Sequence, residues 1–143
     1  MTAPKPLALS KEELQAFLDE VFPQVREDFV VEALEPMAIE MRLPVREKHL
    51  RPGGTVSGPA MFALCDVAVY AVLLAMIGKK ALAVTTNCSL DFMRKPQAGK
   101  DLIAKCELLK LGRVLAIGDV RLYSQGDERP VARATMTYSI PPK

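Results

Sequence analysis

The hydrophobic pattern of the chain is organised around one stretch, residues 60–77, in which every position is apolar except Asp66. A helix that is apolar on every side lies in a protein core or in a membrane. The stretch is barely long enough to cross a bilayer, and a charge well inside it disfavours that location. An ionised carboxylate in a core is costly unless it has partners. The pattern therefore predicts a buried helix in which Asp66 has a specific role, structural or functional.

Boundary signals flank this helix on both sides. Pro59 suits the first helical position, because the N–H that proline lacks would have no partner there. Gly58 or Ser57 would then be the N-cap. Gly78, which is followed by two lysines, is typical of a helix end. We therefore expect the helix to span residues 59–77.

The N-terminal part of the chain predicts a second, shorter helix. Residues 1–9 are rich in proline, and we expect them to be loose. Ser10 and Glu13 have the spacing of a capping box. Apolar residues then recur at helical spacing until Pro23 stops the pattern. An amphipathic helix over 10–22 follows, with no evident chemistry of its own.

The rest of the chain alternates between apolar and polar residues, as strands with one buried face do. Turn signals at Glu35-Pro36 and Leu111-Gly112 separate neighbouring strands. The short connections favour an antiparallel sheet, which must curl around the apolar helix to cover it. We expect an α+β fold with one domain over residues 1–143. The predicted strands are 29–33, 37–44, 82–93, 102–110, 113–123 and 131–140.

Composition narrows the function classes. Half of the 143 residues are hydrophobic and a quarter are charged, which is ordinary for a globular domain, and the net charge of +2 gives no electrostatic case for nucleic acid. The three cysteines lie in apolar runs without the spacing of a zinc site, so buried reduced thiols are expected. With no apolar signal segment at the N-terminus, a cytoplasmic location is the expectation.

Three segments, in this order, resemble the hotdog-fold acyl-CoA thioesterases, and more narrowly the phenylacetate-pathway (PaaI-like) type. In that family the turn and helix typically read His-Gly-Gly, four residues, Leu, one residue, Asp. Here Ser57-Gly58-Pro59, Leu64 and Asp66 fall on that frame. Residues 92–96 resemble the next family segment, and residues 111–116 resemble the Gly-Arg hairpin after it. The resemblance covers roughly residues 37–140.

The resemblance implies a hotdog fold and hydrolysis of an acyl-CoA in a site shared by two subunits. Asp66 would be the general base or the nucleophile, and the Gly58 N–H would bind the oxyanion. Ser57 stands where the family usually has His, and it would keep part of that role by hydrogen bonding or act only as a helix cap. The protein would be a homodimer that pairs again as a homotetramer, with no membrane partner. No cofactor is implied, since coenzyme A is part of the substrate.

Further candidate residues would bind the substrate. His49 and Arg51 precede the turn and would line the pocket mouth. Pro59 replaces the second glycine of the motif. Thr85 matches a Ser or Thr that positions water in some relatives, although its place on the polar strand face favours a solvated side chain. Arg94, Lys95 and Arg113 would contact the coenzyme A phosphates. The substrate-binding candidates are His49, Arg51, Pro59, Thr85, Arg94, Lys95 and Arg113.

Other functions stay open at this point. A non-catalytic acyl-thioester-binding protein is favoured by the absence of His at position 57. A hotdog dehydratase would need a histidine in the pocket, and His49, the single histidine, is outside that frame. A purely structural dimer would leave Asp66 unexplained.

Overall fold

The structure is a computed structural model and describes residues 5–142. Within them the chain forms two helices and six strands, in the predicted order. Short 3-10 helices at Pro23–Val25 and Glu47–His49 complete the path. The helices are α1 (Lys11–Val21) and α2 (Gly58–Ile77), and the strands are β1 (Val30–Glu35), β2 (Ala38–Leu43), β3 (Val84–Phe92), β4 (Leu102–Leu111), β5 (Leu115–Ser124) and β6 (Ala132–Ser139).

All six strands form one antiparallel sheet in the order β1-β2-β4-β5-β6-β3, and the sheet wraps around α2. By length and composition α2 could cross a membrane, yet 72% of its most apolar window is buried inside the fold. The inward faces of the strands supply that cover, as the regular alternation along β6 predicts. The predicted hotdog fold, with a curled sheet around one apolar helix, is confirmed.

The N-terminal segment is anchored where it meets α1. Residues 1–4, part of the segment expected to be loose, lie outside the described residues. At the end of this segment that meets α1, the backbone N–H groups of Ala8 and Leu9 donate to the carbonyl of Ala75, and Leu9 is buried. Ser10 and Glu13 then form both bonds of the predicted capping box. These contacts fix α1 beside the end of α2.

Helix α2 begins one residue earlier than predicted. Ser57 is the N-cap, and its Oγ accepts a hydrogen bond from the Ala60 N–H at 3.3 Å. Gly58 is therefore the first helical residue and Pro59 the second. Gly78 ends the helix with a positive φ of 94°, as its sequence position indicates.

Close packing of α2 on the sheet depends on Gly118 of β5. A Cβ at this position would lie 2.9 Å from Val69 Cγ2 and 3.0 Å from Val69 Cγ1. Valine is stiff about χ1, so its methyl groups have little room to move away. Glycine thus sets the distance between the helix and the centre of the sheet.

We expect Gly118→Ala to lower the free energy of unfolding by about 1–3 kcal/mol, the usual cost of overpacking a core. Urea or thermal unfolding measures this change. The double variant Gly118→Ala/Val69→Ala is the control, because removing the valine methyls makes room for the new one and should recover part of the loss. A Gly118→Ala protein as stable as the parent would contradict the packing argument.

Candidate functional site: a carboxylate on the core helix and the start of that helix

Asp66 lies on α2 between buried neighbours and is itself half-buried. Its Oδ1 accepts two hydrogen bonds, one from Thr85 Oγ1 at 2.6 Å and one from the Tyr138 hydroxyl at 2.7 Å. Hydrogen bonds of hydroxyl groups to an ionised carboxylate are stronger than those between neutral groups. These two bonds explain how the apolar helix holds a carboxylate.

Thr85 contacts Asp66 because β3 contains a bulge. Thr85 is opposite Tyr138 on β6, but the register shifts between Thr85 and Asn87, so Thr86 is an extra residue. A bulge changes which face the following side chains occupy. Thr85 therefore points to the helix side together with Cys88, and the prediction that it is a solvated residue on the polar face is wrong.

Tyr138 is buried on the inner face of β6. Its hydroxyl also lies 3.1 Å from the backbone carbonyl oxygen of Asp66, so its one proton is within hydrogen-bond distance of two oxygens of the same residue. Burial, and after it the charge of Asp66, raises the pKa of Tyr138 well above its usual value. The hydroxyl thus keeps its proton and remains a donor.

The first turn of α2 presents one free backbone donor. The N–H groups of Ala60 and Met61 donate to the side chain and the carbonyl of Ser57, and Pro59 has no N–H. Within residues 5–142, the Gly58 N–H has no acceptor. A free N–H at the positive end of a helix dipole is suited to bind a developing negative charge.

A groove of about 370 Å³ opens beside this donor. Three of the predicted substrate-binding cations line it together with Gly58, namely Arg51, Arg94 and Lys95. The Phe92 ring forms one wall, since a Cβ placed on Gly58 would lie 3.4 Å from its Cζ. Basic side chains and a helix start therefore face the same space, which suits an anionic ligand.

His49 is not at the mouth of this groove, contrary to expectation. It is buried, its Nδ1 accepts the Arg46 N–H at 2.9 Å, and its Nε2 is 3.9 Å from Asp28 Oδ1. Burial lowers the pKa of His49, which favours the neutral ring. The carbonyl of His49 accepts the Ser57 N–H at 2.8 Å. His49 therefore supports the turn before α2 from inside.

Arg113 is also separate from the groove within one chain. It is exposed on the turn between β4 and β5, next to Val114, whose carbonyl accepts the N–H of Ile140. That turn is near the start of β3, whereas Arg94 follows the end of β3. One chain therefore does not bring the two arginines together.

The surroundings of the three cysteines disfavour reactive thiolates. Cys65 and Cys106 are buried, as predicted, and burial raises the pKa of the Cys65 thiol to about 12. Cys88 is only half-buried on β3, and its pKa is also raised, first by burial and then by Asp66. Protonated thiols are poor nucleophiles and metal ligands.

Comparison with known proteins decides the family. A model of the thioesterase superfamily matches residues 53–131, more than half of the chain. The chain belongs to the thioesterase superfamily. The matched region includes the Gly58 donor, Asp66, Thr85, Arg94 and Lys95, while Arg51 and Tyr138 lie outside it.

Individual relatives agree with this assignment. A crystal structure of a candidate thioesterase from Silicibacter sp. TM1040 is 62% identical, with a TM-score of 0.92 over 97% of this chain and 96% of that one. A mutant of the phenylacetic acid degradation protein PaaI from Thermus thermophilus is 28% identical, with a TM-score of 0.72 over 83% and 99% of the two chains. Mouse acyl-coenzyme A thioesterase 13 is 22% identical over 116 residues, 81% of this chain and 82% of its own. The chain is a thioester hydrolase of the PaaI-like type, as predicted.

Two residues of the site were missed by the sequence argument. The sequence predicts Tyr138 only as part of the strand over 131–140, and Phe92 only as part of a family segment. A usable signal exists for Tyr138, because a tyrosine in a strand with one buried face needs a partner for its hydroxyl, and Asp66 is the one carboxylate that the sequence predicts to be buried. No comparable signal places the Phe92 ring against Gly58.

Proposed function

We propose that this thioester hydrolase acts on an acyl-CoA and releases a carboxylic acid and coenzyme A. The observation that supports this most directly is Asp66, whose carboxylate is held by Thr85 and Tyr138 inside an otherwise apolar helix. Asp66 acts as the general base for water, or as a nucleophile that forms an anhydride. The Gly58 N–H binds the oxyanion, and Ser57 caps the helix that holds this donor.

Geometry favours a site made by two copies of the chain. Gly58 and Asp66 are eight residues apart on one helix, which places them about 12 Å apart along its axis. An oxyanion donor must lie within roughly 3 Å of the carbonyl oxygen, and the base must be within similar reach of the reacting atoms at the same carbonyl group. In our proposal the Gly58 N–H of one copy therefore acts with Asp66 of its partner.

The edge of the sheet supports a homodimer. In the described chain β3 pairs only with β6, so its other edge has free backbone donors and acceptors. Large apolar side chains are exposed nearby, with Leu82 79% and Val84 56% exposed and Phe62 on α2 also exposed. Edges of this kind pair with another strand unless they are protected. We propose that β3 joins the β3 of a second copy, which brings two α2 helices together.

Coenzyme A carries phosphates, and the basic side chains give them partners. Arg51, Arg94 and Lys95 line the groove at the Gly58 donor. Arg113 is at the opposite end of β3, and antiparallel pairing of two β3 strands would bring it toward the groove of the other copy. We propose that these cations bind the nucleotide portion of the substrate, far from the thioester.

The test of this function is release of free thiol from a panel of acyl-CoAs that differ in acyl length and ring content. Turnover of at least one acyl-CoA supports the proposal, and it also identifies the acyl group. Tight binding of acyl-CoAs without any thiol release would instead support the non-catalytic acyl-thioester-binding function.

We expect Arg94→Gln and Arg113→Gln to raise KM for acyl-CoA by about three- to tenfold while kcat changes less, because phosphate contacts remote from the thioester bind ground state and transition state alike. Steady-state kinetics measures both constants. Arg121→Gln is the control, since Arg121 is exposed on the outer face of the sheet. A matched acyl-N-acetylcysteamine thioester has no phosphates, so its KM should be unaffected. Equal KM values for acyl-CoA in variants and parent would exclude the phosphate contacts.

A further inference from the structure

The two oxygens of the Asp66 carboxylate have different surroundings. Oδ1 accepts from both Thr85 Oγ1 and the Tyr138 hydroxyl. Oδ2 accepts no hydrogen bond from residues 5–142, and the one buried side-chain oxygen without a hydrogen bond in that part of the chain is a different atom, Asp28 Oδ1, which is ion-paired with Lys48. Solvent therefore reaches Oδ2. The carboxylate has one fixed oxygen and one oxygen available for reaction.

We propose that Tyr138 is a positioning residue for thioester hydrolysis, which together with Thr85 fixes Oδ1 so that Oδ2 of Asp66 is the reacting oxygen. This inference rests on the proposed role of Asp66 and adds to it the residue that orients the carboxylate. Neither hydroxyl touches the substrate in this arrangement. Each acts through Asp66.

Tyr138 is well placed to hold the carboxylate still. Its hydroxyl donates to Oδ1 and also lies 3.1 Å from the Asp66 backbone carbonyl, so the side chain and backbone of Asp66 are tied to one group. Its ring is buried, with its centroid 6.1 Å from that of Tyr70. Strand β6 has a neighbouring strand on both sides. A side chain on a rigid, packed element orients a reacting group better than one on a loop.

Both forms of the reaction use the same oxygen. As a base, Oδ2 takes a proton from water while the water oxygen bonds to the carbonyl carbon; the C–S bond then breaks and the thiolate takes the proton from Asp66. As a nucleophile, Oδ2 bonds to the carbonyl carbon and the C–S bond breaks; the thiolate takes a proton from water, and the hydroxide left behind hydrolyses the anhydride, which releases the acid and restores the Asp66 carboxylate. In each case Oδ1 keeps its hydrogen bonds to Tyr138 and Thr85.

The test is Tyr138→Phe, which removes the hydroxyl and keeps the ring. We expect kcat for acyl-CoA to fall by about ten- to a hundredfold, the rate equivalent of a lost hydrogen bond to a charged group, with KM within about twofold. Tyr70→Phe is the matched control. It removes a hydroxyl from the same pair of rings, but that hydroxyl donates to the Ala81 carbonyl at 2.7 Å and does not contact Asp66. Its kcat should stay close to that of the parent.

The outcomes separate this inference from the proposed function. A Tyr138→Phe protein with parental kcat, alongside an inactive Asp66→Asn protein, would overturn the positioning role and leave the function of Asp66 intact. Equal losses of kcat in Tyr138→Phe and Tyr70→Phe would also overturn it, because packing alone would explain them. An active Asp66→Asn protein would instead refute the proposed function itself.

A second pair of variants applies if Tyr138→Phe does not fold. Thr85→Val removes the other donor to Oδ1, whereas Thr85→Ser keeps the hydroxyl. We expect only the valine variant to lose kcat, again with little change in KM. Parental kcat in Thr85→Val would contradict the fixed Oδ1 and with it the role of Tyr138.

Discussion

Asp66→Asn should reduce thioester hydrolysis by roughly a hundredfold or more, the usual effect of losing a positioned acid–base group. A neutral amide is too weak a base to take a proton from water, and it is a poor nucleophile. Its oxygen can still accept from Thr85 and Tyr138, which both donate to Oδ1 in the parent. The fold and the binding of acyl-CoA should therefore be retained. Thiol release from the best acyl-CoA of the panel measures the effect, with thermal melting in parallel.

Asp91→Asn is the matched control for this change. Asp91 is on the same strand as Thr85, but its side chain is 60% exposed and pairs with Arg133 on the outer face of the sheet. Removal of this charge should leave kcat close to that of the parent. If Asp66→Asn hydrolyses as fast as Asp91→Asn, Asp66 is not the reacting group. A parent without turnover, combined with a melting temperature several degrees lower in Asp66→Asn, would make Asp66 a structural residue.

The core helix and the sheet follow directly from local patterns in the sequence. The apolar run before Gly78 predicts a buried helix, and the short alternating segments on either side of it predict a sheet that covers it. The sequence places the start of α2 one residue late, because Pro59 suits the first helical position. The side chain of Ser57 decided the register instead, by capping the Ala60 N–H.

The arrangement around Asp66 depends on pairing between distant strands, which local patterns do not encode. The bulge at Thr86 exists because β3 pairs with β6, about 50 residues later, in one particular register. No glycine or proline marks it in the sequence. Strict alternation therefore placed Thr85 on the wrong face and hid its contact with Asp66. The partner Tyr138 was on the correct face, since β6 alternates without a break.

The burial of His49 also depends on contacts between distant segments, which local sequence patterns do not encode. A single histidine in a polar segment is typical of a surface position. Its burial depends on Asp28, about 20 residues earlier, which also has the Lys48 ammonium group 2.9 Å from its Oδ1. Interactions across such separations appear only once the chain is folded.

A site shared by two copies predicts that two inactive variants should complement each other. Asp66→Asn removes the proposed base. Gly58→Leu should block the approach of the substrate carbonyl to the backbone N–H of residue 58, because leucine adds a bulky side chain where glycine has none. Each variant alone should form inactive dimers. In a dimer with one chain of each kind, one site would carry both changes and the other site neither.

The mixed dimer can be prepared by co-expressing the two variants with different affinity tags and purifying on both. Since the proposed interface is symmetric, the mixed dimer should recover about half of the parental kcat per dimer. Light scattering establishes that all samples are dimers or larger. The control is a dimer of two Asp66→Asn chains that carry the same two different tags, and it should remain inactive. If Gly58 and Asp66 of one chain acted together, no site in the mixed dimer would be intact, and its activity would be as low as that of either variant alone.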